Sequence, residues 1–588
     1  MNYLIPIIAV FGFYNISSKI NNKLNIKIDN FFFSIIFFLI FLGLITLLVI
    51  FRINLNLAPN FLLIIFLISF LNFIYLYFFR IKSFLEQEKT ISILLASFSI
   101  LTLIPIAGAD SYAYHLAWPQ DLIHNQDIVF DKLFLESRVV GVGEIVNYVG
   151  LLLGSENLLS FLSMVTLFTY ILKNKKNKKK IIILILLSSP VYYKYLLDQK
   201  PFILPCIFLV IFLENFFSQI ELKKINYFDI FSFLISLSFF ANTKYPFLLI
   251  AFFIYLFFLY IAFKRKFFTK YFLISIFIFI FHFMPLPMTK LFIFGDPFSP
   301  FFEGIFNNAD QDILKLREMY KSWDGFNIPI TGGYYEGIIP FLRNVLNFFI
   351  PIAPFTVLDT FGATVAFIFF ARYKFRLKFY FALFIFLIIF FLVMFTNFQS
   401  RWFLFIFLYV LLSYDYIKLK EKYLSICQKL LFVSALTLSG FHVYYLLNLT
   451  NNFINSGFES ALIKHVYLYK EFKDVKNISK NSYILTNTRG NYFYKNLIQY
   501  KYPNFTKKYL TKDRYAKKIE YGFFSTGTNK IDESKLLTNT LLNDFKPDCI
   551  QVIFNEYNLV AKRNTFSRKD YEHFVFVKFK KPILDCIN

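Results

Sequence analysis

Asp110 is the residue whose type and setting best suit acid–base chemistry. It stands in Gly108-Ala109-Asp110-Ser111-Tyr112-Ala113-Tyr114-His115-Leu116, where a long apolar stretch gives way to polar chain. A carboxylate held there can take the proton from an acceptor hydroxyl. The same Asp can also accept backbone N–H bonds and open a short interfacial helix, with Tyr112, Tyr114 and Trp118 as an aromatic belt at the lipid headgroups. One Asp can serve both roles. A second polar stretch opens Gly295-Asp296-Pro297-Phe298-Ser299-Pro300, where two prolines and a glycine set a turn. Further on, Asp310-Gln311-Asp312 has the spacing to hold a divalent cation, magnesium or manganese, against phosphate oxygens; a solvated acidic turn is the plainer alternative. Cations complete the set. Lys194 and Lys200 flank one connector, Lys244 lies in Asn242-Thr243-Lys244-Tyr245-Pro246, and Arg401 precedes Trp402. They suit either snorkelling toward headgroups or a clamp on an anionic leaving group.

The elements that must position these residues are apolar helices. Hydrophobic residues make up 57% of the 588-residue chain, and the mean hydropathy is +0.55. Runs such as Phe31 to Ile50 and Phe61 to Phe79 approach the roughly 20 residues a helix needs to cross about 30 Å of hydrocarbon. Backbone groups in lipid must bond within their own segment, so the runs predict helices. Hydropathy predicts about fourteen spans. They lie near 3–17, 31–51, 58–79, 91–108, 146–171, 181–197, 202–218, 228–242, 246–263, 271–291, 347–371, 379–396, 402–414 and 428–448. Met1 to Tyr14 lacks a basic n-region and a small-residue cleavage site, and reads as a short first span.

The net charge of +25 at first suggests a nucleic-acid partner. The position of the charges argues against one. Lys175–Lys180, Lys264–Lys270 and Arg372–Lys378 are short basic loops between apolar runs. With the Lys175–Lys180 loop in the cytoplasm, the loops near Lys19–Lys27, Arg80–Lys89, Lys223–Lys224 and Lys418–Lys422 fall on the same side, as the positive-inside rule requires. Both termini and the long loops 110–145 and 295–343 are then expected on the outer side. Residues 1–449 form the expected multi-pass domain and 450–588 a polar α/β domain. Ser482 to Thr486, Cys549 to Phe554 and Phe574 to Phe579 have strand character, and Ser534 to Phe545 has helical character. Of four cysteines, Cys206 and Cys427 lie in or beside apolar runs, and Cys549 and Cys586 in the tail. No metal-ligand spacing occurs among the cysteines.

The acidic residue followed by Tyr114-His115-Leu116, the turn Gly295 to Pro300, the Arg401-Trp402 pair and the soluble tail resemble the GT-C superfamily of membrane glycosyltransferases. In particular they look like a group of bacterial multi-pass proteins in or near it. Asp296 stands where that pattern expects Asn, and the acidic pair of several such enzymes is not intact at Asp110. The resemblance implies a multi-pass enzyme of the bacterial cytoplasmic membrane, its tail on the outer side. It implies inverting transfer from a polyprenyl-phosphate sugar to a glycan, lipid or protein acceptor. Asp110 would be the base, Tyr114, His115 and Asp296 would orient substrate, and Lys200, Lys244 and Arg401 would hold the departing phosphate. Two other functions stand beside it: a transporter or flippase of lipid-linked glycans, against which the near absence of charged residues in the middles of the spans counts, and a non-catalytic envelope-assembly protein whose basic tail binds an anionic polymer. If Asp110 is the base, Asp110→Asn expresses normally but transfers sugar roughly 10²–10⁴-fold more slowly. Glycan product at the wild-type level from that variant removes Asp110 from the chemistry.

Overall fold

The computed structural model describes residues 4–26, 28–51, 53, 59–103, 115–125, 140–175, 178–299, 346, 360–372, 376–394, 400–465, 469–479, 482–486, 497–499, 516–528, 545–559 and 571–587. The chain divides into two compact units, one of residues 1–104 and 141–443, the other of residues 105–140 and 444–588. The sequence places the boundary near 449/450. One break between the two units falls at 443/444.

The first unit is a helical bundle. Its described helices include Ile5–Lys23, Asn30–Ile50, Pro59–Gln87, Lys89–Thr102, Gly143–Leu152, Leu158–Asn174, Lys179–Ser188, Pro190–Leu197, Ile203–Leu222, Tyr227–Thr243, Tyr245–Lys264, Phe268–Ile278, Pro285–Phe294, Arg376–Met394 and Leu404–Ser413. Among the described residues, four helices are long and apolar enough to cross a membrane, or six if each of two bent pairs counts as one. Apolar side chains face outward as well as inward: Leu71, Tyr75 and Phe79 on Pro59–Gln87 and Phe252, Leu256 and Tyr260 on Tyr245–Lys264 are exposed. That pattern suits lipid, since a water-facing helix would carry polar residues there.

Local chemistry explains where helices start, stop and bend. Asp29 caps Asn30–Ile50 by accepting the Phe31 N–H at 2.9 Å, and Asn226 and Asp229 form a reciprocal capping box for Tyr227–Thr243. Lys179–Ser188 and Pro190–Leu197 meet at 82°. Proline at 190 drives Ser189 to extended backbone, ψ 110°, and cannot continue the ladder. Phe268–Phe283 and Pro285–Phe294 meet at 51°, after a π-helical turn at Phe279–Phe283. Asn242 donates to the carbonyls of His282 (3.3 Å) and Phe283 (2.8 Å) in that break. The span expected at 146–171 is two helices, because Gly154 at φ 87° turns the chain between them. Between Ile5–Lys23 and Pro59–Gln87, Gly12 lets the backbones meet; a Cβ there would lie 2.4 Å from the Phe66 carbonyl. Ser69 Oγ donates to the Gly12 carbonyl at 3.0 Å and Asn15 donates to Ser69 O at 2.9 Å, side-chain bonds of the kind that join helices in lipid.

The second unit contains a five-stranded sheet of β3 (Tyr483–Thr486), β4 (Leu497–Gln499), β5 (Ile519–Thr528), β6 (Ile550–Leu559) and β7 (Tyr571–Phe579); β1 and β2 are the two-residue pair Ala371–Arg372 and Tyr416–Ile417 of the bundle. Strand order is β4-β3-β5-β7-β6, with β3 parallel to both neighbours and β5, β7 and β6 antiparallel. Helix Tyr469–Ser479 lays Phe472 and Val475 against Ile484, Phe523, Phe574 and Phe576 on one face. Phe524, Phe545, Val575, Val577 and the C-terminal Ile583, Cys586 and Ile587 fill the other. All three expected strand segments are strands, whereas most of the helical stretch expected at 534–545 lies outside the described residues.

His573 is buried in this sheet beside Asn555, and burial lowers its pKa below the ordinary histidine value. The folded sheet therefore favours neutral imidazole, while the unfolded chain binds the proton more readily. Stability is full above pH 6.5 and falls as pH drops toward the folded pKa. Protease resistance of the tail in the full-length protein should weaken between pH 7 and pH 5, and His573→Gln should flatten the dependence.

Candidate functional site

Two ends of the bundle differ in charge. The 20-residue helix Ile203–Leu222 runs about 30 Å between them. Toward its C-terminal end, Glu214 pairs with Lys175, Lys178 donates to the Tyr414 carbonyl at 2.6 Å, Lys179 pairs with Glu88 at 2.6 Å, and Arg372 joins the β1–β2 pair. Lys175, Lys178, Arg372, Lys378 and the strand Tyr416–Ile417 thus share one end.

At the other end, the turn Gly141-Val142-Gly143-Glu144 packs on the connector Asn242-Thr243-Lys244. Val142 N–H donates to the Asn242 carbonyl at 3.1 Å. A Cβ on Gly141 would lie 2.2 Å from that carbonyl, and one on Gly143 would strike Pro201 at 2.5 Å. Both positions therefore exclude side chains, and the turn brings Glu144 to Lys244. One Glu144 oxygen accepts from Lys244 Nζ at 2.6 Å; the other accepts the Gly141 N–H at 2.8 Å. The Glu144 side chain is fully buried and Lys244 nearly so. Burial lowers the Lys244 pKa below the ordinary lysine value, and the Glu144 carboxylate pulls it back up.

Lys244 has Lys200 and Arg401 for electrostatic neighbours. Lys200 pairs with Asp198 at 3.6 Å in a connector that Asn147 grips through the Gln199 carbonyl at 3.0 Å. Phe202 lies beneath the cations: the Arg401 guanidinium is 5.3 Å from its ring centroid, and Lys244 Nζ 6.0 Å. Arg401 also lies over Trp402 at 4.7 Å, and Phe202, Phe247 and Trp402 meet edge to face. Arg401 Nε is buried and has no hydrogen-bond partner among the described residues. Gly143–Leu152, Ile203–Leu222, Tyr245–Lys264 and Leu404–Ser413 all begin here, so their N-terminal partial positive charges add to the field.

The turn expected at Gly295 adjoins this cluster. Gly295, at φ 74°, ends helix Pro285–Phe294. Lys290 on that helix is buried, approaches the Tyr245 hydroxyl at 3.4 Å, and feels Glu144, Lys244 and Asp296 electrostatically. Tyr245 donates to the Ser299 carbonyl. Asp296 is buried and its carboxylate accepts the Phe298 N–H at 2.7 Å, fixing the turn. Lys200, Lys244 and Arg401 thus come together, with Asp296 linked through Lys290. Asp110, Tyr114, Asp310 and Asp312 lie outside the described residues. His115 is buried in the second unit. Among the described residues no group of three His, Cys, Asp or Glu side chains could hold a metal. Sequence reasoning missed Glu144 and Lys290. Both carried a readable signal, a charge embedded in apolar chain, and Glu144 closes a Gly-x-Gly turn.

Residues 86–448 match the model described as the DUF1420 N-terminal domain, a range that takes in the whole cluster. No curated protein and no solved structure matches the chain. Removing one member of a buried ion pair strands the other charge, at a cost of about 3–5 kcal/mol. Lys244→Met should therefore destabilise the bundle by that amount in thermal unfolding, and Glu144→Gln together with Lys244→Met should recover much of it. A double variant no more stable than Lys244→Met would show that the pair does not carry this end of the bundle.

Proposed function

We propose, from the premise that this chain belongs to the DUF1420 family, that it is a membrane glycosyltransferase acting on a polyprenyl-phosphate sugar. The observation that carries the reading is the cation cluster of Lys200, Lys244, Lys290 and Arg401 around Phe202, at the end of the bundle away from the basic loops. Four cations face the three carboxylates Glu144, Asp198 and Asp296, and four helix N-termini add positive charge. Such a place suits an anion, and Arg401 has buried donor capacity to offer it.

The chemistry is the one that the resemblance to the GT-C superfamily implies. An acceptor hydroxyl attacks the anomeric carbon, the bond from that carbon to the phosphate oxygen breaks, and the configuration inverts. Asp110 takes the hydroxyl proton, and polyprenyl phosphate leaves with the bonding pair. Arg401 and Lys200, fixed by Phe202 and Asp198, stabilise the developing charge without reorganising. Glu144 accepts from Lys244 at 2.6 Å and pulls its pKa up against the effect of burial. The reading includes some fourteen spans, with the cluster, both termini and the tail on the outer face; the positive-inside pattern of the basic loops supports that orientation.

Arg401→Ala should lower transfer from a labelled polyprenyl-phosphate sugar in membranes by about 10²–10³-fold, the scale of losing one preorganised donor. Arg401→Lys should restore part of the loss, because charge returns without the planar fork. Full transfer by Arg401→Ala at wild-type protein levels would refute the phosphate-clamp assignment.

A further inference from the structure

A second feature of the bundle is a groove of about 730 Å³ at the face formed by Arg376–Met394 and Leu404–Ser413. Phe379, Leu383, Phe386 and Phe390 line it at helical spacing, and Phe403 and Phe407 close it from the neighbouring helix. Phe403 lies 5.8 Å from Phe386 and 5.9 Å from Phe407, so the floor is continuous aromatic surface. Phe379, Tyr380 and Leu383 are at least 45% exposed, so the groove opens outward. From Arg376 to Phe390 it runs about 21 Å along the helix, enough to cover the roughly 15 Å of hydrocarbon in one leaflet.

Among the described residues that line the groove, the charged ones lie at one end. Arg372 and Arg376 are part of its lining there. Arg372 uses Nη1 on the carbonyls of Phe369 (3.1 Å) and Ala371 (2.8 Å), which anchors the guanidinium at the mouth. Lys378 and Lys178 are electrostatic neighbours at the same end. A ligand matching this shape has an anionic head and a long apolar tail.

We infer that this groove holds an anionic phospholipid, its phosphate between Arg372 and Arg376 and an acyl chain along Phe379, Phe386 and Phe390. The site lies at the opposite end from the Arg401 cluster and does not depend on the transferase reading. Arginine forks suit a phosphodiester at a headgroup plane, and two basic side chains at an anionic surface correspond to a preference of at least about tenfold.

Native mass spectrometry of the full-length protein, released from nanodiscs of phosphatidylglycerol mixed with phosphatidylcholine, tests this. One retained phosphatidylglycerol, preferred by about tenfold over phosphatidylcholine, is the expected result. Arg372→Ala with Arg376→Ala should abolish the preference, and Leu383→Trp, which fills the groove and leaves the charges alone, should expel the lipid. Thermal unfolding identifies any variant that fails to fold, and for such a variant the Leu383→Trp arm decides. Equal retention of both lipids by the wild-type protein would overturn the inference, as would an unchanged preference in the double Arg variant. Displacement by inorganic phosphate alone, or a stronger preference for polyprenyl phosphate, would overturn it in favour of a soluble anion or of the carrier lipid.

Discussion

A carboxylate and an ammonium buried together at 2.6 Å hold one end of the bundle in place. Neither charge tolerates burial alone, so each fixes the element that carries the other. Glu144 opens helix Gly143–Leu152, and Lys244 sits in the connector between Tyr227–Thr243 and Tyr245–Lys264. Once these are clamped, the glycines at 141 and 143 let the chain lie against Asn242 and Pro201, where any side chain would collide. Phe202, Arg401 and Trp402 then stack at the same place. The clamp therefore has two effects. It sets local geometry, and the carboxylate offsets part of what burial takes from the lysine's pKa.

A helical bundle in lipid has few ways to place functional groups, because irregular backbone is tolerated only where it is buried or satisfied. This bundle uses two bends and a turn. Ser189 and Pro190 redirect one helix pair by 82°, and the π-helical turn at 279–283 with Pro285 redirects another by 51°. Asn242 satisfies the carbonyls in the second bend, and its own carbonyl receives Val142. The same short connector thus joins the bend, the Gly141 turn and the buried pair. The bend also sets the course of helix Pro285–Phe294, which carries Lys290 toward Tyr245 and ends at the Gly295 turn.

Much of this was readable one residue at a time. Apolar runs predicted helices at Asn30–Ile50, Ile203–Leu222 and Tyr245–Lys264, and β-branched and aromatic runs predicted β3, β6 and β7. Both are local signals, set by hydrogen bonding within a segment and by side-chain shape. Lys200, Lys244 and Arg401 stood out because the positive-inside rule disfavours cations on the outer face. Glu144 escaped notice because it lies at the end of a stretch read as the loop 110–145. Its importance comes from Lys244, which is 100 residues away. The continuous span expected at 146–171 failed for a local reason, since hydropathy averaging does not register the single left-handed glycine at 154.

By itself, then, the sequence determined the helical character, the basic character of alternate loops and the strand segments of the tail. Those properties depend on the composition of windows a few to twenty residues long. Tertiary structure alone decided that Lys200, Lys244, Lys290 and Arg401 share one end, that Glu144 neutralises one of them, and that Asp296 turns its carboxylate to its own backbone. Those are distances between residues far apart in the chain. They are fixed by how helices cross and bend, and no local pattern encodes them.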